Sequence, residues 1–141
     1  MCDRGVSPDH HTKTSASGAS MAKASSTTAD RVKDFGVALD RSSELDGFTV
    51  NFVTITKSHD LAPVLTSLPT GKCTCSHWGY VITGRVIVRY DDHEEALGPG
   101  DAFYMSPGHA PETEEGTELV QFSPTEQLAE VEAAIAAATR A

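Results

Sequence analysis

The 141-residue chain has no apolar run approaching the roughly 20 residues that span a bilayer, and its N-terminus lacks the apolar centre of a secretory signal. A cytoplasmic protein without membrane contact is the expectation. A basic cluster is missing too. With 11 Lys and Arg against 20 Asp and Glu, a formal charge of −9 and a pI near 5.0, the chain has little with which to displace the counterions of a phosphate backbone. Nucleic acid is therefore not an expected partner. From Asp91 to Glu118 basic residues disappear altogether, while nine acidic ones accumulate: Asp91, Asp92, Glu94, Glu95, Asp101, Glu112, Glu114, Glu115 and Glu118. Such a run reads as a solvated acidic rim.

Cysteine is scarce. Of the three, Cys2 lies in a polar stretch, and Cys73 and Cys75 stand two apart, where an extended backbone holds their Cβ atoms too far apart for a bridge. Free thiols or thiolate metal ligands are the natural reading. The length leaves room for one domain with one core and excludes a second enzyme domain.

Residues 1–30 are rich in Ser, Thr, Ala, Gly, Asp and Lys without periodicity or an aromatic residue, the composition of a disordered tail. Met21 inside it is an alternative start, and His10 and His11 are assigned no chemistry. Residues 31–141 form the expected single domain. From Asp46 onward the signal is β: Phe48, Val50, Phe52 or Val53, and Ile55 alternate as a half-buried strand requires. Short strands are expected over Pro63–Leu68, Cys73–Thr83, Arg85–Tyr90, Glu95–Leu97, Asp101–Ser106 and Thr117–Phe122, separated by turns at 68–71, 91–94 and 98–100. Short strands at intervals of about ten residues closed by Gly and Pro are the mark of a sandwich or barrel. At the C-terminus the period changes. Ser123-Pro124-Thr125-Glu126 reads as a capping box, and Leu128, Val131, Ile135 and Ala138 recur at helical spacing, giving an apolar stripe that braces the barrel or makes a dimer contact.

Extended backbone sends successive side chains to opposite faces, so Cys73, Cys75, His77 and Gly79 are expected on one face and Thr74, Ser76, Trp78 and Tyr80 on the other. Thiolate and imidazole together favour a divalent transition metal (Zn, Fe, Cu, Ni or Mn) over Mg or Ca, which prefer oxygen. The candidate metal ligands are Cys75, His77, His109 and Cys73, with Cys75 preferred as the thiolate because Cys73 lies nearer the turn; Glu112 and Glu114 are further donors. The same Cys pair also reads as two small buried side chains, and one His as a satisfied barrel residue. His59 and His93 are expected in solvent. Trp78 and Tyr80 are expected in core or dimer packing.

The stretches H-W-G-Y-V-I-T-G-R-V-I-V-R-Y and G-P-G-D-A-F-Y-M-S-P-G-H resemble the two motifs of the cupin superfamily, in particular its small single-domain members, over residues 46–123. The resemblance implies an all-β jelly-roll (double-stranded β-helix) barrel with a C-terminal α-helix, a mononuclear metal centre and a homodimer. The usual three-His-one-Glu set is not matched. His77 stands at the Glu position, Gly71, Lys72 and Cys73 span the paired His positions, and Pro111 takes the place of the second-motif His, with His109 two residues earlier on the same strand parity.

Two functions compete. One is a small metal-binding cupin acting as a metalloenzyme on a small molecule in the barrel; oxygenase, isomerase and lyase chemistries all remain open. The other is a non-catalytic module that holds a small-molecule ligand or a metal. A metal-free isomerase with His77 as base and Tyr104 as acid is a third possibility. Homodimerisation through the helix predicts that Leu128→Glu weakens the dimer.

Overall fold

The fold is taken from a computed structural model, which describes residues 22–140, excepting the side chains of 138–140. Cys2, His10, His11, Met21 and the side chain of Ala138 lie outside the described residues. Within residues 22–30, the Asp30 amide donates to the Ser43 hydroxyl at 3.0 Å.

Ten strands are described: β1 (Arg31–Asp34), β2 (Ala38–Leu45), β3 (Phe48–Ile55), β4 (His59–Asp60), β5 (His77–Thr83), β6 (Val86–Arg89), β7 (Glu94–Leu97), β8 (Ala102–Met105), β9 (Ala110–Thr113) and β10 (Glu118–Pro124). A short 3-10 helix (Ala62–Ser67) follows β4, and the α-helix α1 (Thr125–Arg140) follows β10. The strands form two antiparallel sheets, β1-β2-β3-β10-β5-β8 and β4-β9-β6-β7. This is the all-β jelly-roll barrel with a C-terminal helix.

Alternation decides what each strand buries. Val81 of β5, Leu119 of β10 and Met105 of β8 point inward, as do Val86 and Val88 of β6, and Arg85, Ile87 and Arg89 take the opposite parity. Val86, Val88, Met105 and Leu119 form one core cluster between the sheets. The second core cluster is made by Leu65, Leu68, Cys73, Cys75, Ala110 and Val131, with Leu128 and Ile135 packed against it. The stripe of α1 is therefore consumed by its own barrel. Each such side chain contributes about 1.5–3 kcal/mol when fully buried.

Several expectations need correction. Pro63–Leu68 is not a strand: Pro63 sits in the first turn of the 3-10 helix, where its fixed φ and missing N–H are tolerated, and Leu65 inserts into the core. Ser123 is not a helix cap, because β10 runs through Pro124 and the Ser123 hydroxyl is taken by His77. β1, β2, β4 and β9 were not anticipated. The inward positions of β2 include Asp40 and Ser42, so no apolar alternation announces it, and β9 carries Pro111, which argues against a strand. Among the described residues no helix is long and apolar enough to cross a membrane.

Candidate metal centre

The expected strand from Cys73 to Thr83 is ordered as β-structure only from His77. Cys73 instead makes an isolated antiparallel bridge with His109: its amide donates to the His109 carbonyl at 2.8 Å, and its carbonyl accepts from Gly108 at 2.8 Å. That bridge places Cys73 beside His109. Residues 74–76 belong to no strand, and His77 enters β5 at an inward position paired with Met105.

Three donor atoms converge. Cys73, His77 and His109 each offer one, all within 4.8 Å of one another, and the Cys73 Sγ lies 3.7 Å from His77 Nε2. The imidazole centroids are 5.1 Å apart. All three residues are buried, His109 at 1% exposure.

The second nitrogen of each ring is already engaged. His77 Nδ1 bonds the Ser123 hydroxyl at 2.6 Å, and His109 Nδ1–H donates to the Ser106 carbonyl at 2.7 Å. A carbonyl can only accept, so the proton of His109 is on Nδ1 and Nε2 presents its lone pair. Ser106 is held in turn, its amide donating to the Tyr90 hydroxyl at 3.1 Å while the Tyr90 ring lies 6.4 Å from His109. Outer hydrogen bonds of this kind are what orient and polarise imidazole ligands of metals.

Electrostatics keep the rings neutral. Burial, followed by the neighbouring His109, pushes His77 from 6.5 down to about 3. Burial also lowers His109, opposed by its bond to Ser106. Burial raises the thiols, Cys73 above its ordinary value and Cys75 to about 12. A buried thiol and two neutral imidazoles suit a soft or borderline cation. A tetrahedral ion with bonds of 2.0–2.3 Å separates sulfur from nitrogen by about 3.6 Å, close to the 3.7 Å between Cys73 and His77. The residues present fit a transition metal.

The four expected ligands divide into a cluster of three and one residue apart from it. Cys73, His77 and His109 come together, whereas Cys75 does not join them. Cys75 keeps the buried parity of Cys73 and His77, but its thiol donates to the Ser76 carbonyl at 3.5 Å and packs among Leu65, Leu68 and Val131. Glu112 and Glu114 are paired elsewhere, with Arg89 at 2.7 Å and Arg85 at 3.5 Å. His93 is exposed, stacked on Tyr90 and bonded to Asp92. His59 is half-buried rather than exposed, its Nδ1 between the Lys57 carbonyl and the Thr113 hydroxyl. Tyr104 pairs with Trp78 and His77 with Met105, so Tyr104 and His77 occupy opposite faces of the sheet and cannot act as an acid–base pair.

Three supporting residues escaped the sequence reading. Ser123 was hidden inside an apparent capping box, Ser106 acts through its backbone, and Tyr90 looked like the end of a strand. Gly79 also has a role: a Cβ there would collide with the Phe103 ring and the Val120 carbonyl, so glycine lets Phe103 lie across β5 two residues from His77. A cleft lined by Val88, Tyr90, Glu95, Leu97, Ala102, Phe103, Tyr104 and Met105 contains none of the three donors but includes Met105, the strand partner of His77.

A model of the AraC-like ligand binding domain matches residues 76–123, which span β5 to β10. Among solved structures, the chain is similar to a protein of unknown function from Rhizobium leguminosarum bv. viciae, at 21% identity over 73% of this chain and 94% of that one, with a TM-score of 0.54. It is also similar to an RmlC-like cupin from Shewanella frigidimarina, at 20% identity over 67% and 83% with a TM-score of 0.48. A cupin-2 domain containing protein from the same organism aligns at 15% identity over 60% and 78%, with a TM-score of 0.44. No curated protein sequence matches the chain. Two facing antiparallel sheets joined in jelly-roll order, together with the similarity to the Rhizobium structure and the ligand-binding-domain match over residues 76–123, give the chain a cupin-like jelly-roll fold.

Proposed function

We propose that this protein is a small metal-binding cupin in which Cys73, His77 and His109 hold one divalent transition metal, and that the adjoining cleft receives a small molecule. The observation that carries the reading is the convergence of three buried donors whose remaining imidazole nitrogens are both committed to serine oxygens. When bound, the ion supplies a Lewis-acid centre with a coordination position open beyond its three protein ligands. The chain's own contribution is positional. Ser123 and Ser106 fix the two rings, burial keeps both neutral at pH 7, and Phe103, Met105 and Val88 share the neighbouring cleft with Tyr90 and Glu95. Because the Cys73 thiol is held protonated by burial, binding a metal there releases a proton and tightens as pH rises.

The test is elemental analysis of untagged protein purified without chelator. About one transition-metal ion per chain is expected, and it should be lost in His77→Ala. Absence of metal after anaerobic reconstitution with Zn, Fe, Cu, Ni and Mn defeats the reading. A second reading, ligand binding without turnover, draws on the AraC-like ligand binding domain match. Loaded protein that retains a small molecule through gel filtration and converts none favours it. Turnover of the molecule favours the enzyme.

A further inference from the structure

Strands β7 and β8 end their respective sheets, and among the described residues no further strand pairs with either. The cleft that both strands line measures about 140 Å³, small beside the roughly 300–1,000 Å³ of sites for drug-sized ligands. Its occupant is therefore a short molecule. Most of the lining is apolar or aromatic: Val88 and Met105 belong to a core cluster against which Tyr90, Leu97 and Phe103 pack. The exception is Glu95. Register puts it at an inward position, since it pairs with Val88 while Leu97 pairs with Val86, and both valines are buried. Its neighbour shows how a carboxylate of this strand is otherwise treated. Glu94, on the outward parity, is bonded to Arg89 at 3.2 Å. Glu95 has no such cation: among the described residues its one ionic partner is His93 Nε2 at 3.5 Å, and that ring gives its other nitrogen to Asp92 at 2.6 Å.

We infer that this cleft binds a small organic cation, an ammonium carried on a short apolar body, with Glu95 as its counter-ion. This deepens the proposed function, on whose cleft it rests, and needs no metal. The sign of the ligand is decided first. A carboxylate without Lys or Arg beside it attracts a positive group and repels a carboxylate or phosphate. The surroundings act in the same direction, because the segment 91–118 that supplies β7 and β8 holds nine acidic residues and no Lys or Arg, and its field draws cations toward the cleft. The kind of cation is decided second. Mg and Ca ions demand several oxygen ligands, and the cleft offers a single carboxylate. An alkylammonium instead gains from the aromatic rings of Tyr90, Phe103 and Tyr104, which line the same space. Backbone carbonyls along the unpaired edges of β7 and β8 are acceptors for its remaining N–H groups. Glu95 stands at the mouth, with 62% of its side chain exposed, so the charged head is held at the rim and the apolar body reaches toward Val88 and Met105. An inward charge on an edge strand also discourages edge-to-edge pairing. That role accounts for the charge but gives no preference among ligands.

The experiment is a calorimetric titration of the full chain at pH 7 and low salt, in metal-loaded and chelator-treated samples, with n-butylammonium, 1-butanol and butyrate as probes of nearly equal shape. Butylammonium should bind at least about 10-fold more tightly than either of the others in both samples. Glu95→Gln should abolish that preference and leave the urea midpoint and the bound metal unchanged, whereas Glu94→Gln should keep it. Equal binding of the probes, no binding of butylammonium at millimolar concentration, or a preference that survives Glu95→Gln overturns the inference and leaves Glu95 as the guard of an open edge. Metal content read on the same samples separates the two readings. Metal retained without a preference defeats this inference alone, and a preference in protein that takes up no metal upholds it and defeats the metal reading alone.

Discussion

The two faces of β5 and its neighbours share a backbone and divide the molecule's chemistry. Inward, His77 joins Cys73 and His109, Ser123 stands on the next strand, and among the described residues Asn51 Oδ1 is the one buried side-chain polar atom without a hydrogen-bond partner. Outward, Trp78, Tyr80 and Ile82 face solvent beside Tyr104 and Phe122. A strand reverses its side chains at every residue, so one seven-residue segment carries a buried donor set and an unpartnered aromatic face with no conflict between them. The faces are coupled only through register. A substitution that keeps register should disturb one face and leave the other intact.

The largest expected effect is on the inner face. His77→Ala or Cys73→Ser should lower transition-metal affinity by at least about 100-fold, read by competition with a chromogenic chelator, and leave sedimentation unchanged. Cys75→Ser should keep the metal, and its loss there would return Cys75 to the ligand set. Next is Gly79→Ala, which forces a methyl into the Phe103 ring and the Val120 carbonyl and should cost about 2–3 kcal/mol in urea unfolding. It is also the substitution most capable of disturbing both faces, because the clash reaches the β5–β10 register. An unaltered midpoint means that both the Phe103 ring and the β10 backbone at Val120 give way.

Tyr90→Phe removes the hydroxyl that holds Ser106, two bonds away from His109 Nδ1. An affinity loss of about 10-fold is expected, with little change in stability. Unchanged affinity would show that the turn at 106–108 is held by its bridge to Cys73 alone.

The smallest effect concerns pH in the metal-free protein. His77 is depressed from 6.5 to about 3, so the folded state binds fewer protons than the unfolded chain between those values. Its contribution is fully present above pH 6.5 and is lost progressively as pH falls toward 3, with His109 acting in the same direction. Thermal midpoints of chelator-treated protein should fall across this window, and His77→Gln should flatten the fall.

Much of the fold was legible. The alternation in R-V-I-V-R-Y and the glycine turns located β6 to β8, and the helical spacing of Leu128, Val131 and Ile135 located α1. Strand β2 was illegible because its inward residues include Asp40 and Ser42: Asp40 accepts both contacts from the Asn51 amide, a polar lining that erases the apolar period. The sequence named both histidines and Cys73 as candidates, with Cys73 ranked behind Cys75, and the structure brings those three donor atoms within 4.8 Å of one another. That ranking rested on Cys73 lying nearer the turn. The bridge between Cys73 and His109 supplies the second side of the site.

The sequence by itself determined the barrel, its terminal helix and the residue types able to bind a soft cation, because these follow from local period and donor chemistry. Only tertiary structure decided which thiol meets the histidines, that Ser123 serves His77 rather than the helix, and that Tyr104 stands with Trp78 outside. Each of those depends on pairing between strands far apart in the chain, and local periodicity carries no record of such pairing.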